Sequence, residues 1–176
     1  SILALPKLEE IVLDANELRA ALPAALARLP LRVLRLRQNR LENDALRLLG
    51  AALVEQQRAG RAVGGAAAPW AWTLQELDLR GNRLRAVPYA LVSGAPMLRS
   101  LLLGSNRIVL RAEGSAAECW RALDALEILD LSGNKVESLP VALLRMPGLT
   151  SLNIENNEMR RCADPPSPLA PLASHR

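Results

Sequence analysis

The sequence is poor in aromatic residues, cysteine and histidine. Its 176 residues include no Phe, one Tyr, three Trp, two Cys and one His. Two cysteines are too few for the disulfide framework of a small secreted domain. Because aromatic side chains are so scarce, any core must be packed mainly with Leu, Ala, Val and Ile.

Residues suited to catalysis are equally scarce. The only histidine, His175, lies next to the last residue, and Cys162 follows two arginines in a Pro-rich tail. A general base needs a positioned ring with a third group to orient it. The C-x-x-C, H-E-x-x-H and G-x-x-x-x-G-K-[ST] motifs are absent, which removes the minimum residues for zinc and P-loop sites. The sequence therefore predicts no enzyme, no metal and no cofactor.

Long apolar runs and a charged-then-apolar leader segment are also absent. No run approaches the roughly 18 residues needed to span a bilayer. The sequence predicts an intracellular, cytoplasmic domain with no membrane span. The net charge of +4 is diffuse and interleaved with acidic residues, and few aromatic side chains are available to stack bases, so nucleic acid is not the predicted partner.

One eleven-position pattern is repeated six times along the chain. Positions 1, 4, 6 and 11 are apolar and position 9 is Asn. The six copies are Leu8–Leu18, Leu31–Leu41, Leu74–Leu84, Leu98–Ile108, Leu126–Val136 and Leu149–Met159. The pattern resembles the leucine-rich repeat family, over residues 1–159.

The strand part of each copy alternates between apolar and mostly polar residues, which predicts a short strand with one buried face. Repeats stacked in one orientation pair their strands in parallel, and the residues between them supply the crossovers. The resemblance implies an α/β solenoid, with a curved parallel sheet on the concave side and short helices and irregular turns on the convex side.

The asparagines at position 9 are predicted to be structural. A side-chain amide offers both a donor and an acceptor, so stacked amides can satisfy the backbone of neighbouring turns. The ladder consists of Asn16, Asn39, Asn82, Asn106, Asn134 and Asn157.

The connections between strands differ in length, with Asn-to-Asn intervals of 23, 43, 24, 28 and 23 residues. Several contain Leu-Pro or Val-Pro and resemble the Leu-Pro-x-x-Leu returns of intracellular repeats. The long second return resembles the ribonuclease-inhibitor type, with a helix capped by Asn43 or Asp44. Its predicted apolar face is Ala45, Leu48, Leu49, Ala52 and Leu53.

A Gly/Ala-rich segment after that helix, at about 56–72, is predicted to be an inserted surface loop. Residues 160–176 form a Pro-rich tail that is predicted to be extended. Trp72 and Trp120 are predicted to cover the core. Because Ser1–Lys7 resembles the second half of a repeat, we expect the chain to be a fragment, or to have an end covered by a partner.

The resemblance implies that a protein or peptide binds the concave face, through side chains between the leucines. Three arginines (Arg35, Arg37 and Arg80) are expected to cluster, and Leu102 and Ile128 are expected to be neighbours. The predicted partner-binding residues are Val12, Asp14, Val33, Arg35, Arg37, Asp78, Arg80, Leu102, Ile128, Asp130 and, in the insertion, Trp70. Two alternatives stay open: a structural scaffold subunit that contacts its neighbours in a larger complex through its ends and inserted loop, and the regulatory domain of a larger protein.

Overall fold

The computed structural model describes residues 5, 7–62, 73–111, 120 and 123–160. Six short strands form one parallel sheet in chain order. They are β1 (Glu10–Val12), β2 (Val33–Arg35), β3 (Glu76–Asp78), β4 (Ser100–Leu102), β6 (Ile128–Asp130) and β8 (Ser151–Asn153). A second, two-stranded parallel sheet pairs β5 (Val109–Leu110) with β7 (Lys135–Val136). The predicted α/β repeat solenoid is confirmed, whereas the second sheet was not foreseen.

The strands of the six-stranded sheet pair without any shift of register, whereas β5 and β7 pair Val109 at position 12 with Lys135 at position 10. Leu34 pairs with Leu77, Leu77 with Leu101, and Leu101 with Leu129, so residues at the same pattern position lie side by side. The backbone ladder continues to position 7, where Arg80 and Gly104 accept hydrogen bonds from the preceding repeats. The side chains at positions 3, 5 and 7 therefore form three rows on one side of the sheet, which we call the open face.

The core is built from the apolar positions of the pattern. Leu77, Leu101, Leu103 and Leu129 have at most 1% of their surface exposed. These aliphatic side chains stack from repeat to repeat, so each repeat covers the core of its neighbours. Burial of this stacked surface is the main stabilising contribution in such an array.

A left-handed residue turns the chain after each strand. All six residues at position 8 have φ between 53° and 66°: Ala15, Gln38, Gly81, Ser105, Gly133 and Asn156. Gly81 and Gly133 adopt this conformation without steric cost, while residues with a side chain adopt it less favourably. The sharp turn places the following asparagine inside the solenoid.

Each internal asparagine joins its own turn to the preceding repeat. Asn106 Nδ2 donates to the carbonyl oxygen of Leu103 in its own repeat at 2.9 Å and to that of Leu79 in the preceding repeat at 3.0 Å. Its Oδ1 accepts from the backbone N–H of Leu84 at 3.0 Å. The same three-way arrangement recurs at Asn39, Asn82, Asn134 and Asn157. Asn16 bonds only within its own turn, to the carbonyls of Leu13 and Asp14.

Three short returns follow a proline. They are the 3₁₀ helix Ala24–Arg28, α2 (Tyr89–Ser93) and α3 (Val141–Leu144), preceded by Pro23, Pro88 and Pro140. The fixed φ of proline suits the start of a helical turn. Each return buries one leucine, as the Leu-Pro pattern predicts: Leu26, Leu91 and Leu143.

The second return contains the long helix α1 (Asn43–Ala62). The prediction of a loop from about residue 56 is wrong for residues 56–62, which continue the helix. Ala, Arg, Gln and Glu favour helix strongly enough to carry it past Gly60. The rest of the proposed insertion, with Trp70 and Trp72, lies outside the described residues, as do Cys119 and residues 161–176 of the predicted tail.

The buried face of α1 differs from the prediction. Leu46 is buried, whereas Leu48 is 47% exposed. Asn43 does not cap its own helix: its Oδ1 accepts from the N–H groups of Arg85 and Ala86, and its Nδ2 donates to Ala86 O at 2.8 Å. The Asn43 side chain therefore ties the start of α1 to the next return instead of capping the helix.

The structure confirms Trp120 as a core residue. It is 1% exposed and packs edge-to-face against Tyr89, with ring centroids 6.1 Å apart. Such a contact adds about 0.5–1.5 kcal/mol to the burial of the rings themselves. The tryptophan thus joins the fourth return to α2.

Close packing of α1 against α2 depends on Gly50. A Cβ at this position would lie 2.7 Å from Leu91 N and 2.9 Å from Ala90 C, both backbone atoms. We therefore expect Gly50→Ala to lower the free energy of unfolding by about 1–3 kcal/mol, measured by urea denaturation, because the helices must separate. Helix propensity alone would stabilise the variant by about 1 kcal/mol, and a gain of that size would contradict the close contact.

Candidate functional site

The structure distributes the predicted partner-binding residues over the three rows of the open face. The position 3 row includes Val33 and Ile128, and the position 7 row includes Asp14, Arg37 and Arg80. The position 5 row contains Val12, Arg35, Asp78, Leu102 and Asp130. Val12 and Ile128 are 52% and 42% exposed, so apolar side chains are available at two separate places.

Arg35 is held between carboxylates from both neighbouring strands. Its Nε donates to Glu76 Oε1 at 2.8 Å, and its Nη1 lies 3.5 Å from Glu10 Oε1. The hydrogen bond that Arg35 donates to Glu76 raises the pKa of the Arg35 guanidinium above its usual value. The arginine is positioned before any partner arrives, but much of its charge is already balanced.

Arg80 is paired even more closely, with the carboxylate of Asp78. Its Nε and Nη2 donate to the two carboxylate oxygens, with the shortest distance 2.6 Å, and this hydrogen bonding raises the pKa of Arg80. Asp78 is only 2% exposed. The guanidinium of Arg80 covers this carboxylate, so the structure presents Arg80 rather than Asp78 at the surface of the open face.

Arg37 is the remaining member of the predicted arginine cluster. Its backbone N–H donates to Asp14 Oδ1 at 2.7 Å, which fixes the main chain at this point. Its side chain is exposed and has no carboxylate within ion-pair distance among the described residues. Of the three arginines, Arg37 alone offers an uncompensated positive charge.

A cavity of about 260 Å³ opens beside Arg37, across the C-terminal ends of the strands. Gly104 leaves this space free, because a Cβ there would lie 2.8 Å from Asp130 Oδ2 and 2.9 Å from Ser132 Oγ. The cavity thus has basic side chains at one end and a carboxylate at the other. Its lining residues are Arg37, Gln38, Arg80, Gly81, Gly104, Ser105, Asp130 and Ser132.

Five of these lining residues are outside the predicted partner-binding set. Gly104 and Ser132 stand at position 7 of the open face, and the other three stand elsewhere in the pattern. Gln38, Gly81 and Ser105 stand at position 8, which the alternation of the strand does not assign to the open face. The left-handed backbone at this position turns these residues toward the rim of the cavity. The signal that could have revealed them is the fixed place of the turn, one residue before each asparagine.

Leu102 and Ile128, which were expected to be neighbours, are diagonal neighbours and not a lateral pair. Leu102 pairs with Asp130 and Ile128 pairs with Ser100, so the two apolar side chains occupy different rows and lie diagonally. Diagonal neighbours are about 7–8 Å apart in a sheet. Along its rows the open face therefore has no continuous apolar stripe, because polar residues separate the apolar side chains.

A family model described as Leucine Rich Repeat matches residues 73–93 and 125–146. Mouse podocan is 33% identical over 107 residues, covering 49% of this chain and 17% of podocan. The chain thus spans only a small part of this relative.

Solved structures show the same architecture. A leucine-rich repeat protein of Leptospira interrogans is similar over 91% of this chain and 34% of its own, with a TM-score of 0.66 and 25% identity. The ectodomain of the Arabidopsis membrane receptor kinase GASSHO1/SCHENGEN3, solved with Casparian strip integrity factor 2, is also 25% identical, with a TM-score of 0.57. That likeness covers 86% of this chain and 16% of the receptor chain.

Within the part of the chain that the structure describes, no helix combines the length and the apolar character that crossing a bilayer requires.

Proposed function

The chain is a leucine-rich repeat protein, and we propose that it is a non-catalytic module that binds a protein or peptide partner on the open face of its sheet. The observation that carries this proposal is the exposed, uncompensated guanidinium of Arg37 beside the 260 Å³ cavity. Arginine is enriched at interface centres, where its planar group can make several directed hydrogen bonds.

The surrounding side chains favour binding without large rearrangement. Arg35 and Arg80 are held by carboxylates, so the rows next to Arg37 are already ordered. A surface that is ordered before binding loses less conformational entropy when a partner docks. Val12 and Ile128 supply apolar contacts at the flanks, while Asp130 supplies an acceptor at the far end of the cavity.

The Arg37→Glu variant tests the proposal most directly. We expect it to weaken partner binding at least about tenfold, which corresponds to about 1.4 kcal/mol, because it reverses the one uncompensated charge of the cluster. The fold should stay intact, since the side chain is exposed. Affinity purification from source cells, with quantitative mass spectrometry, identifies proteins retained by the wild type but not by the variant.

Arg145→Glu is the matched control, since Arg145 is also exposed and lies at the end of α3. A partner lost from both variants would respond to net charge rather than to the open face. A partner that both variants retain would show that its binding does not depend on Arg37, so its site would lie elsewhere on the chain. Changing both Arg35 and Arg37 to glutamate would be a less specific test, because Glu at position 35 would face Glu10 and Glu76.

A second candidate function is a structural subunit that contacts its neighbours through the ends of the array. It is supported by the partly exposed apolar side chains of the first and last described repeats, including Leu8, Leu18, Leu149 and Leu152. Cross-linking of the native complex distinguishes the two functions. Links at the open face favour the first, and links confined to the end repeats favour the second.

An intracellular location stays a prediction of the sequence. The comparisons do not support a cytoplasmic location, because the similar structures include the ectodomain of a membrane receptor kinase. Localisation of the tagged full-length protein in source cells tests it: signal outside the cell or on its outer surface would contradict the prediction.

A further inference from the structure

A run of basic residues follows the asparagine turns. Position 10 of the pattern is occupied in chain order by Glu17, Arg40, Arg83, Arg107, Lys135 and Glu158. The Arg107 N–H donates to Leu84 O and the Lys135 N–H to Ile108 O, each at 2.9 Å. These bonds place Arg83, Arg107 and Lys135 on three adjacent repeats, and we call this set the basic strip.

Other rows of the solenoid place opposite charges on adjacent repeats. At position 2, Arg32 lies 3.6 Å from Glu9 and Arg99 lies 2.9 Å from Glu127. At position 10 itself, Arg40 is paired with Glu17 at 2.9 Å. The basic strip breaks this rule, since each of its three successive repeats carries a cation at position 10.

Among the described residues, no member of the basic strip has a carboxylate within ion-pair distance. Arg107 and Lys135 are exposed and Arg83 is half-buried. Glu137, two residues after Lys135, is already bonded to Arg111 at 3.0 Å. Lys135 lies beside Val109 of the preceding repeat rather than beside a carboxylate, so no ion pair among the described residues offsets its charge.

We propose that the basic strip binds an extended acidic segment of a protein partner, rich in Asp and Glu. Adjacent strands of a sheet lie about 4.8 Å apart, and Lys135 pairs with Val109, two residues after Arg107. The strip therefore presents one cation per repeat in a staggered series. Arginine forks match carboxylates in a bidentate manner, and lysine adds a point charge. Exposed Arg85, two residues after Arg83, adds a further cation at the edge of the strip.

The surroundings favour carboxylates over nucleic acid. Binding of single strands commonly combines cations with aromatic side chains on which bases stack. The residues flanking the strip at positions 11 and 12 are aliphatic or charged, such as Leu84, Ile108 and Val109. The strip also lies beyond the asparagine turns from the open face, so its role does not depend on the function proposed for that face.

The test compares two triple variants of the full chain. Arg83→Gln/Arg107→Gln/Lys135→Gln removes the strip, and Arg28→Gln/Arg47→Gln/Arg145→Gln removes the same charge from exposed arginines on the returns. The probe is a fluorescein-labelled oligoglutamate peptide, followed by fluorescence anisotropy at low and at physiological salt. We expect the strip variant to weaken binding at least tenfold and the control variant less than about twofold.

Equal losses in both variants would show attraction by net charge alone and would overturn the proposal. The proposal would also be overturned if the wild type showed no measurable peptide binding. Tighter binding of a single-stranded oligonucleotide than of a peptide of equal charge would overturn it as well. A second readout is the melting temperature of Arg107→Gln at low salt, which we expect to equal or exceed that of the wild type. A lower value would show that Arg107 supports the fold and would contradict the unpaired strip.

Discussion

Replacing Leu129 with alanine is expected to lower the free energy of unfolding by about 2–5 kcal/mol. Leu129 is fully buried and lies in β6 between Leu101 of one neighbouring strand and Leu152 of the other. The variant loses the transfer free energy of the removed atoms and leaves a cavity. Because the neighbouring strands are fixed by their own hydrogen bonds, they can collapse only partly into that space.

Ile128→Ala is the matched control for this prediction. Ile128 precedes Leu129 in the same strand but points to the open face and is 42% exposed. Its truncation should change the free energy of unfolding by much less, within about 1 kcal/mol, since little buried surface is lost. Urea denaturation followed by circular dichroism measures both variants. Similar losses for the two would contradict the register of β6.

The pattern of leucines and asparagines was sufficient to predict the fold and the three rows of the open face. A period-two alternation assigns each residue of a strand to one face, and the constant pattern length keeps equivalent residues side by side. Leu34, Leu77 and Leu101 accordingly pair in register. These features depend on backbone periodicity, which the sequence displays directly.

The ion-pair partner of each charged side chain could not be predicted in the same way. Arg35 reaches back to Glu10 and forward to Glu76, which is 41 residues away along the chain. Arg80 instead folds onto Asp78 in its own strand and buries it. Which partner each guanidinium selects depends on side-chain rotamers and on neighbouring strands, and the one-dimensional pattern contains neither.

Helix α1 shows a second limit. A Gly/Ala-rich composition predicted a loop from about residue 56, but the helix continues to Ala62 because only Gly60 opposes it. Asn43 has the residue type of a cap, yet it bonds the backbone of Arg85 and Ala86 in the next repeat. Local propensity is a weak signal when a tertiary contact competes for the same side chain.

Replacing Asn106 with alanine is expected to lower the free energy of unfolding by about 2–5 kcal/mol, although the change removes only one small polar group. Asn106 is 9% exposed and serves three backbone groups: Leu84 N–H, Leu79 O and Leu103 O. A buried polar group left without a partner costs about 1–3 kcal/mol. The loss should therefore exceed that of one ordinary hydrogen bond.

Asn16→Ala distinguishes this ladder effect from a general preference for asparagine in a turn. Asn16 stands at the same position of the pattern, but it is exposed and bonds only Leu13 O and Asp14 O in its own turn. Water can replace those bonds, so its loss should stay below about 1 kcal/mol. Urea denaturation of both variants gives the comparison. A large difference assigns the stabilisation to bonds between repeats, whereas equal losses would assign it to the turn alone and would contradict the ladder.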